Sequence, residues 1–421
     1  MSNYEPSYSC VEPKFSAHEV IDQLREAYWL ECPDINNNGM PDLIGYGLTM
    51  GEVYWYKNPD WQRILLANKI KMPVGMDFGD ITNNGSPDIA ICYQLYGPKG
   101  TIIDPDPEGG KIDWLENPGN PNNETEEWQR RYVGKAVGMH RLRIGHFTRT
   151  DRWQILGMPI VQVEGVHAVL PVLLFTEPDD IYSATEWERT VIDHTTFRFV
   201  HGFEKKKGLI PGSELDSVML AGEEGITWMY YDEKNEKWEK VNIGHGELGQ
   251  FSLTGFKGSG DVGVGTIGDD PFAFVVAAEP FHGNTIAAYC KDSDGHPGDV
   301  KWNRIVLDVF GDPNDKGEGP AHCVMCADFD QDGEDEILVA LRGPAPWQGV
   351  FYYKILDARK GIFTKWRVSE ESASRISVAD FNGSGKLGFA TIGYSVVHYY
   401  ETENPKIMVF NNEMDVKANK K

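Results

Sequence analysis

Basic residues are scarce in this chain: 40 lysines and arginines stand against 64 aspartates and glutamates, a formal charge of -24. Nucleic acid and anionic membrane surfaces are therefore poor partners, because both repel a strongly acidic protein. Cysteine is sparse too, six in 421 residues, too few for a disulfide framework in a chain this long. Cys323 and Cys326 form a C-x-x-C, but both fall in an expected strand, where residues three apart face opposite sides. No shared metal or redox role follows for them. No apolar run reaches the roughly 20 residues of a bilayer span. The opening Met1-Ser-Asn-Tyr-Glu-Pro6 has neither the basic nor the apolar segment of a secretory signal. The expectation is a reduced, soluble, cytoplasmic protein. Against these shortages stand 41% hydrophobic and 12% aromatic residues, enough for a large core.

The chain repeats itself. An acidic, glycine-bearing turn followed by a short apolar strand recurs as Asp34-Ile-Asn-Asn-Asn-Gly-Met-Pro-Asp42, Asp80-Ile-Thr-Asn-Asn-Gly-Ser-Pro-Asp88 and Asp328-Phe-Asp-Gln-Asp-Gly-Glu-Asp-Glu336. Asp380-Phe-Asn-Gly-Ser-Gly385 keeps the turn without its closing carboxylate, and weaker copies begin near His146, Phe203 and Phe256. The interval averages about 58 residues, suited to a four-stranded blade with long loops. In phase with the turns run aromatic strands (Val53–Asn58, Ile112–Asn117, Ile226–Tyr231) and a Trp-x-Arg/Lys pattern at Trp61, Trp128, Trp187, Trp238 and Trp302. Alternation of this kind marks strands with one buried face, so the tryptophans are read as packing between blades.

The expected fold is all-β: one seven-bladed β-propeller with FG-GAP/VCBS-like repeats, spanning residues 1–421. The last unit reaches Ile407–Asn411 and lacks an outer strand. A segment at about 12–22, around Phe15–Ile21, can supply it and so remove two exposed sheet edges; residues 412–421 read as a polar tail.

In a propeller the first strand of each blade lines a central channel, and loops from several blades meet at one axial mouth. This brings together His140, Arg141, His322, His282 and Tyr394 as candidate acids, bases and oxyanion holders, near-neutral histidines being suited to proton transfer. Candidate binding residues are Tyr46, Asp77, Tyr96, Arg198, Phe281, Arg342, Trp347 and Arg375. Arginine suits a carbonyl or enolate oxygen. The mouth loops also look apolar (Leu48, Met50, Leu95, Val161, Val163, Val166, Val396, Val397), which favours a hydrophobic substrate over a sugar. The acidic turns resemble hard-cation loops. Asp328, Asp330, Asp332 and Glu336 form the most charged set, Asp34, Asn36, Asn38 and Asp42 a second, and Asp80, Thr82, Asn84 and Asp88 a third; a metal-free Asx turn is the alternative. A structural calcium or magnesium ion and no organic cofactor are expected.

The stretches Gly138–Asp151, Ala278–Thr285 and Cys326–Glu336 resemble the propeller domain of fungal aldos-2-ulose dehydratase along nearly the whole chain. The resemblance implies a metal-stabilised propeller that removes water from oxidised sugars such as 1,5-anhydrofructose, and it favours His140, Arg141, His146 and His282. The full-length dehydratase continues into cupin and lectin-like domains, so dehydration without the later isomerisation is implied. Stand-alone propellers of fungal secondary metabolism, the hetero-Diels-Alderases of tropolonic sesquiterpene pathways, are also similar. With apolar mouth loops they set the leading expectation: loss of water to a quinone methide, coupled to cycloaddition with a terpene alkene. Sugar dehydratase, polysaccharide lyase and non-enzymatic binding propeller are the alternatives. The expected partner is a small molecule, and the oligomeric state is left open, a homodimer included.

Overall fold

The computed structural model describes residues 10–119, 126–248, 255–314, 318–343, 345–396 and 400–415. Among the described residues, seven four-stranded antiparallel sheets are arranged as blades, with one extra two-stranded ribbon, Ser395–Val396 with Tyr400–Glu401. Six blades use consecutive strands; the seventh pairs Arg375–Ala379, Gly388–Ile392 and Ile407–Asn412 with Phe15–Ile21 from the other end of the chain. The closing register runs from Phe15 opposite Asn412 to Ile21 opposite Ile407. Phe15 docks edge-on against Phe389 and Phe329, with ring centroids 5.0 and 6.0 Å apart. Asn412 is the last residue of its strand and is buried, as is Met414 beyond it; Val397 and 416–421, also named above, lie outside the described residues.

The repeated turn works through its carboxylates. Asp34 accepts the backbone N–H groups of Asn38 and Gly39 at 3.1 and 2.8 Å, and fully buried Asp42 accepts those of Ile35 and Asn58 at 2.9 and 2.8 Å. Gly39 stands at φ +84°, a left-handed conformation that favours glycine. Three of the turns are then tied to a neighbouring blade by an asparagine at the end of a strand. Asn58 donates to Phe381 O at 2.8 Å, Asn117 to Ile35 O at 3.0 Å, and Asn412 to Phe329 O at 2.8 Å. A buried amide can satisfy carbonyls of two blades at once, which fixes their angle. Trp128 and Trp187 are buried between blades, their backbone N–H groups bonded to Leu66 O and Val133 O of the preceding outer strand.

The weak repeat copies are displaced in the structure. Those near Phe203 and Phe256 fall on or before inner strands, while the turns of blades four and five lie between Lys207 and Asp216 and between Ile267 and Asp270. The inner strand of blade four is Gly202–Lys207, so Arg198 precedes it instead of lying on it.

Three inner strands carry a β-bulge at the same rung. In Ala27–Glu31, Met139–Gly145 and Ala321–Ala327 the register slips between Ala27 and Trp29, Met139 and Arg141, and Ala321 and Cys323. The residues left over are Tyr28, His140 and His322. A bulge kinks a strand and re-aims its side chains, so neighbours need not face opposite ways. The close approach of blade two to blade three at this level requires Gly75, where a Cβ would lie 2.7 Å from His140 O.

Candidate active site

The bulged rungs deliver their side chains to one buried centre. Arg141, 1% exposed, donates from Nε to His201 O at 3.1 Å and from Nη1 to Val74 O at 2.6 Å. Its Nη1 and Nη2 lie 2.9 Å from His140 Nε2 and His201 Nε2. Tyr28 Oη is 3.4 Å from Arg141 Nη1 and 3.3 Å from His140 Nε2. None of Arg141's hydrogen-bond partners among the described residues is a carboxylate. A buried guanidinium without a hydrogen-bonded carboxylate is costly to maintain.

Among the described residues, four imidazoles cluster beside it. Ring centroids of His201 lie 5.2 Å from His140, 4.9 Å from His282 and 5.3 Å from His322, and His282 and His322 are 4.8 Å apart. Nδ1 of His201 faces Gly260 O at 2.7 Å, and Nδ1 of His322 faces Ser374 O at 2.6 Å. Both must therefore carry their proton on Nδ1, which leaves Nε2 a bare lone pair. Burial, helped by neighbouring arginines and histidines, holds His140, His201 and His322 well below the usual histidine range. His282 is pushed down to about 3 by burial first and Arg342 second. All four are neutral bases at physiological pH.

His282 adopts φ +46°, an uncommon conformation for a residue with a side chain and one that clusters at functional sites. Its ring stacks on Phe281 with centroids 3.8 Å apart, and its Nδ1 is 3.9 Å from Glu318, which pairs with Arg342 at 3.0 Å. Arg342 also stacks over Tyr394, 5.0 Å away, and Tyr394 packs 5.1 Å from His322.

The structure thus gathers His140, Arg141, His282, His322, Tyr394, Phe281, Arg342 and Arg375 around the axis, and Tyr46 stands beside them with its hydroxyl buried and unpaired. Tyr96 is partly buried against the same core. Others stand elsewhere. His146 follows the far end of the strand that begins at Met139, stacked on Trp153 at 4.4 Å and bonded to Arg152 O. Asp77 lies on a deeper rung, accepting from Ile144 N at 2.8 Å and Lys205 at 2.9 Å. Arg198 pairs with Glu224 at 3.1 Å, and Trp347 is 40% exposed near Phe310. The apolar residues read as mouth walls are in large part core: Leu95, Val161 and Val396 are buried in one cluster, with Leu48 and Val166 packed against it. The axis itself carries histidines and arginines beside the rings of Phe281 and Tyr394.

His201, Tyr28 and Trp29 were missed. His201 sits in the weak fourth repeat, and Tyr28 precedes the first turn in a hydrophobic run that alternation alone assigns to core. The spacing from Tyr28 to Asp34 and from His140 to His146 is the same, which is the signal that was available.

The nitrogens of His201, His282 and His322 fall within 4.8 Å of one another. Neutral imidazoles converging with carbonyl-fixed tautomers fit a borderline-soft cation such as zinc. A second cluster, Asp328, Asp330, Asp332 and Glu336, fits a hard cation by ligand type. Here, however, Lys354, 3% exposed, places its ammonium 2.8 Å from Asp330 and 2.7 Å from both Asp332 and Glu336. In the Asp34 loop the amide oxygens of Asn36 and Asn38 already accept Asn38 N and Met40 N. Breaking a buried ion pair costs about 3–5 kcal/mol. Lys354→Met should therefore lower the melting temperature, and millimolar calcium should recover part of the loss by filling the vacated charge. Thermal melts with calcium and with chelator check this; equal curves for variant and native protein would refute it.

The aldos-2-ulose dehydratase of Phanerodontia chrysosporium is 38% identical over 435 aligned residues, which cover 96% of this chain and 47% of the relative. The family described as aldos-2-ulose dehydratase, beta-propeller domain, matches residues 109–292, which include His140, Arg141, His201 and His282. The chain is similar to the aldos-2-ulose dehydratase propeller. It spans about half the length of that dehydratase. Solved structures agree on fold alone. The WD40 repeats of RRP9 match at TM-score 0.55 and 8% identity over 96% of this chain and 99% of that one. U3-55K matches at 0.57 and 8% over 94% and 98%.

Proposed function

We propose that the axial centre removes water from an oxidised sugar of the aldos-2-ulose type by β-elimination. The observation that carries this is Arg141: a fully buried cation with no carboxylate among its hydrogen-bond partners in the described residues, set among neutral imidazoles. In a 2-ulose the hydrogen on the carbon next to the carbonyl is the acidic one. A neutral imidazole, His140 or His322 by position, takes that proton. The electron pair moves onto the carbonyl oxygen, and the Arg141 N–H groups hold the resulting enolate. The enolate then expels the hydroxyl on the next carbon, which leaves as water with the proton the imidazolium returns. The products are an enone and one water, and the enzyme ends as it began.

Burial serves this chemistry twice. It keeps the bases unprotonated, and it strengthens the interaction of Arg141 with a charge that exists only during reaction. If His201, His282 and His322 hold a metal ion, it would supply Lewis-acid polarisation of a substrate oxygen. To bind there it must displace Arg141 as the partner of His201 Nε2.

The similarity to a dehydratase and the polar axis support the sugar alternative over the expected hydrophobic substrate; hetero-Diels–Alder chemistry gains no support from either. Incubation with 1,5-anhydrofructose and with an open aldos-2-ulose should produce an ultraviolet-absorbing enone, with deuterium from the α position lost to solvent water. Protein that leaves both substrates unchanged, with and without zinc, would sink the assignment.

A further inference from the structure

Trp29 belongs to none of the roles above. It follows the bulge at Tyr28 and is 1% exposed. Two guanidinium groups rest on its indole: Arg141, reaching from blade three, at 4.7 Å from the ring centroid, and Arg375, from blade seven, at 4.3 Å. The indole N–H donates to Glu31 Oε1 at 3.0 Å, which fixes the plane of the ring. Arg375 has one carboxylate near it, Asp261 at 3.8 Å, and its Nε and Nη2 are buried without a hydrogen-bond partner.

Two buried cations repel, and something must hold them. A carboxylate would do so by cancelling their charge and occupying their N–H groups. An aromatic face attracts a cation through its quadrupole, leaving both the charge and the in-plane donors for a ligand. We propose that Trp29 is a positioning residue that holds Arg141 and Arg375 at the axis as oxyanion-binding cations without occupying their N–H groups. The inference rests on the dehydratase reading for its substrate, an enolate oxygen, but the binding property is separable from it.

The test uses Trp29→Leu and Trp29→Phe in the full chain. In turnover of an aldos-2-ulose, Trp29→Leu should lower kcat about tenfold with KM nearly unchanged, since the held charge develops in the transition state. Trp29→Phe, which keeps a weaker quadrupole, should recover a good part of that loss. In an Arg141→Met background the same Trp29→Leu change should cost far less, the signature of a residue acting through another. Calorimetric titration with oxalate reads the cations without turnover: the native protein should bind it, and Trp29→Leu should bind about tenfold more weakly. A folded Trp29→Leu protein unchanged in kcat and in oxalate affinity overturns the proposal, as does native protein with no oxalate affinity. Should Trp29→Leu fail to fold, Trp29→Phe decides by the same two measurements. If no 2-ulose reacts with the native protein, the dehydratase assignment fails, and oxalate alone then judges Trp29.

Discussion

Arg141→Met should leave a folded protein whose turnover of an aldos-2-ulose is lower by about 10²- to 10³-fold, the usual effect of losing a preorganised oxyanion donor. Methionine matches the arginine stem in length, and loss of the guanidinium leaves a small polar-lined gap that water can fill. The carbonyls of Val74, His140 and His201 lose a donor, at about 1–3 kcal/mol for each one left dry. Against that, a buried cation with no carboxylate is no longer desolvated. The two changes oppose, and the melting temperature should move far less than the rate. Arg141→Lys keeps the charge and loses the fork, so it should fall between methionine and the native protein. His140→Ala should cost about 10²-fold if its Nε2 moves the proton. A purely structural Arg141 predicts the reverse pattern: lower melting temperature, and full turnover in whatever remains folded. Rate and melting curve measured on the same samples separate the two.

Deleting residues 1–22 should abolish soluble folding. The loss removes the outer strand of blade seven and leaves Ile407–Asn412 as an unpaired edge with its backbone groups facing solvent. An open apolar edge is a template for aggregation. Phe15 would go with it, opening a gap beside Phe329, Tyr352 and Phe389. Phe15→Ala alone should cost roughly 3 kcal/mol, the lower end for a buried phenylalanine because Phe15 is only half-buried. Soluble expression and denaturant titration report both effects. A truncated protein with native stability would mean the ring closes by other contacts.

The architecture was legible because its turns are built from chemistry that shows in single residues. An aspartate, a glycine and a closing carboxylate at fixed spacing make one turn, and that turn recurs. Where substitution has eroded it, in blades four and five, the boundaries slip, and Arg198, a candidate binding residue, precedes the inner strand of its blade. The axial histidines of blades three and six were found from these same markers, and His282 of blade five from a loop that reaches the mouth. His201 was not, because its blade lacks the marker. The apolar reading of the mouth failed for a different reason: loop residues such as Val161 and Leu95 fold back into core, and hydropathy does not say which way a loop leans. Strand periodicity also misleads at Tyr28–Trp29 and His140–Arg141, since alternation puts neighbours on opposite faces and a bulge does not.

Those bulges set regularity against chemistry. A ladder with the extra residue excised would pair more evenly, and by ordinary measures of strand geometry it would be the better sheet. Deleting His140 outright would leave Met139 and Arg141 opposite Pro159 and Met158 but would remove the kink that lets neighbouring side chains reach the centre together, an injury no point substitution can copy. The same holds for Tyr28 and His322 at their own rungs. The ring tolerates three flaws at one height because the other rungs hold it together, and every flaw faces inward. A more perfect propeller would lose the inward reach of Tyr28, His140 and His322.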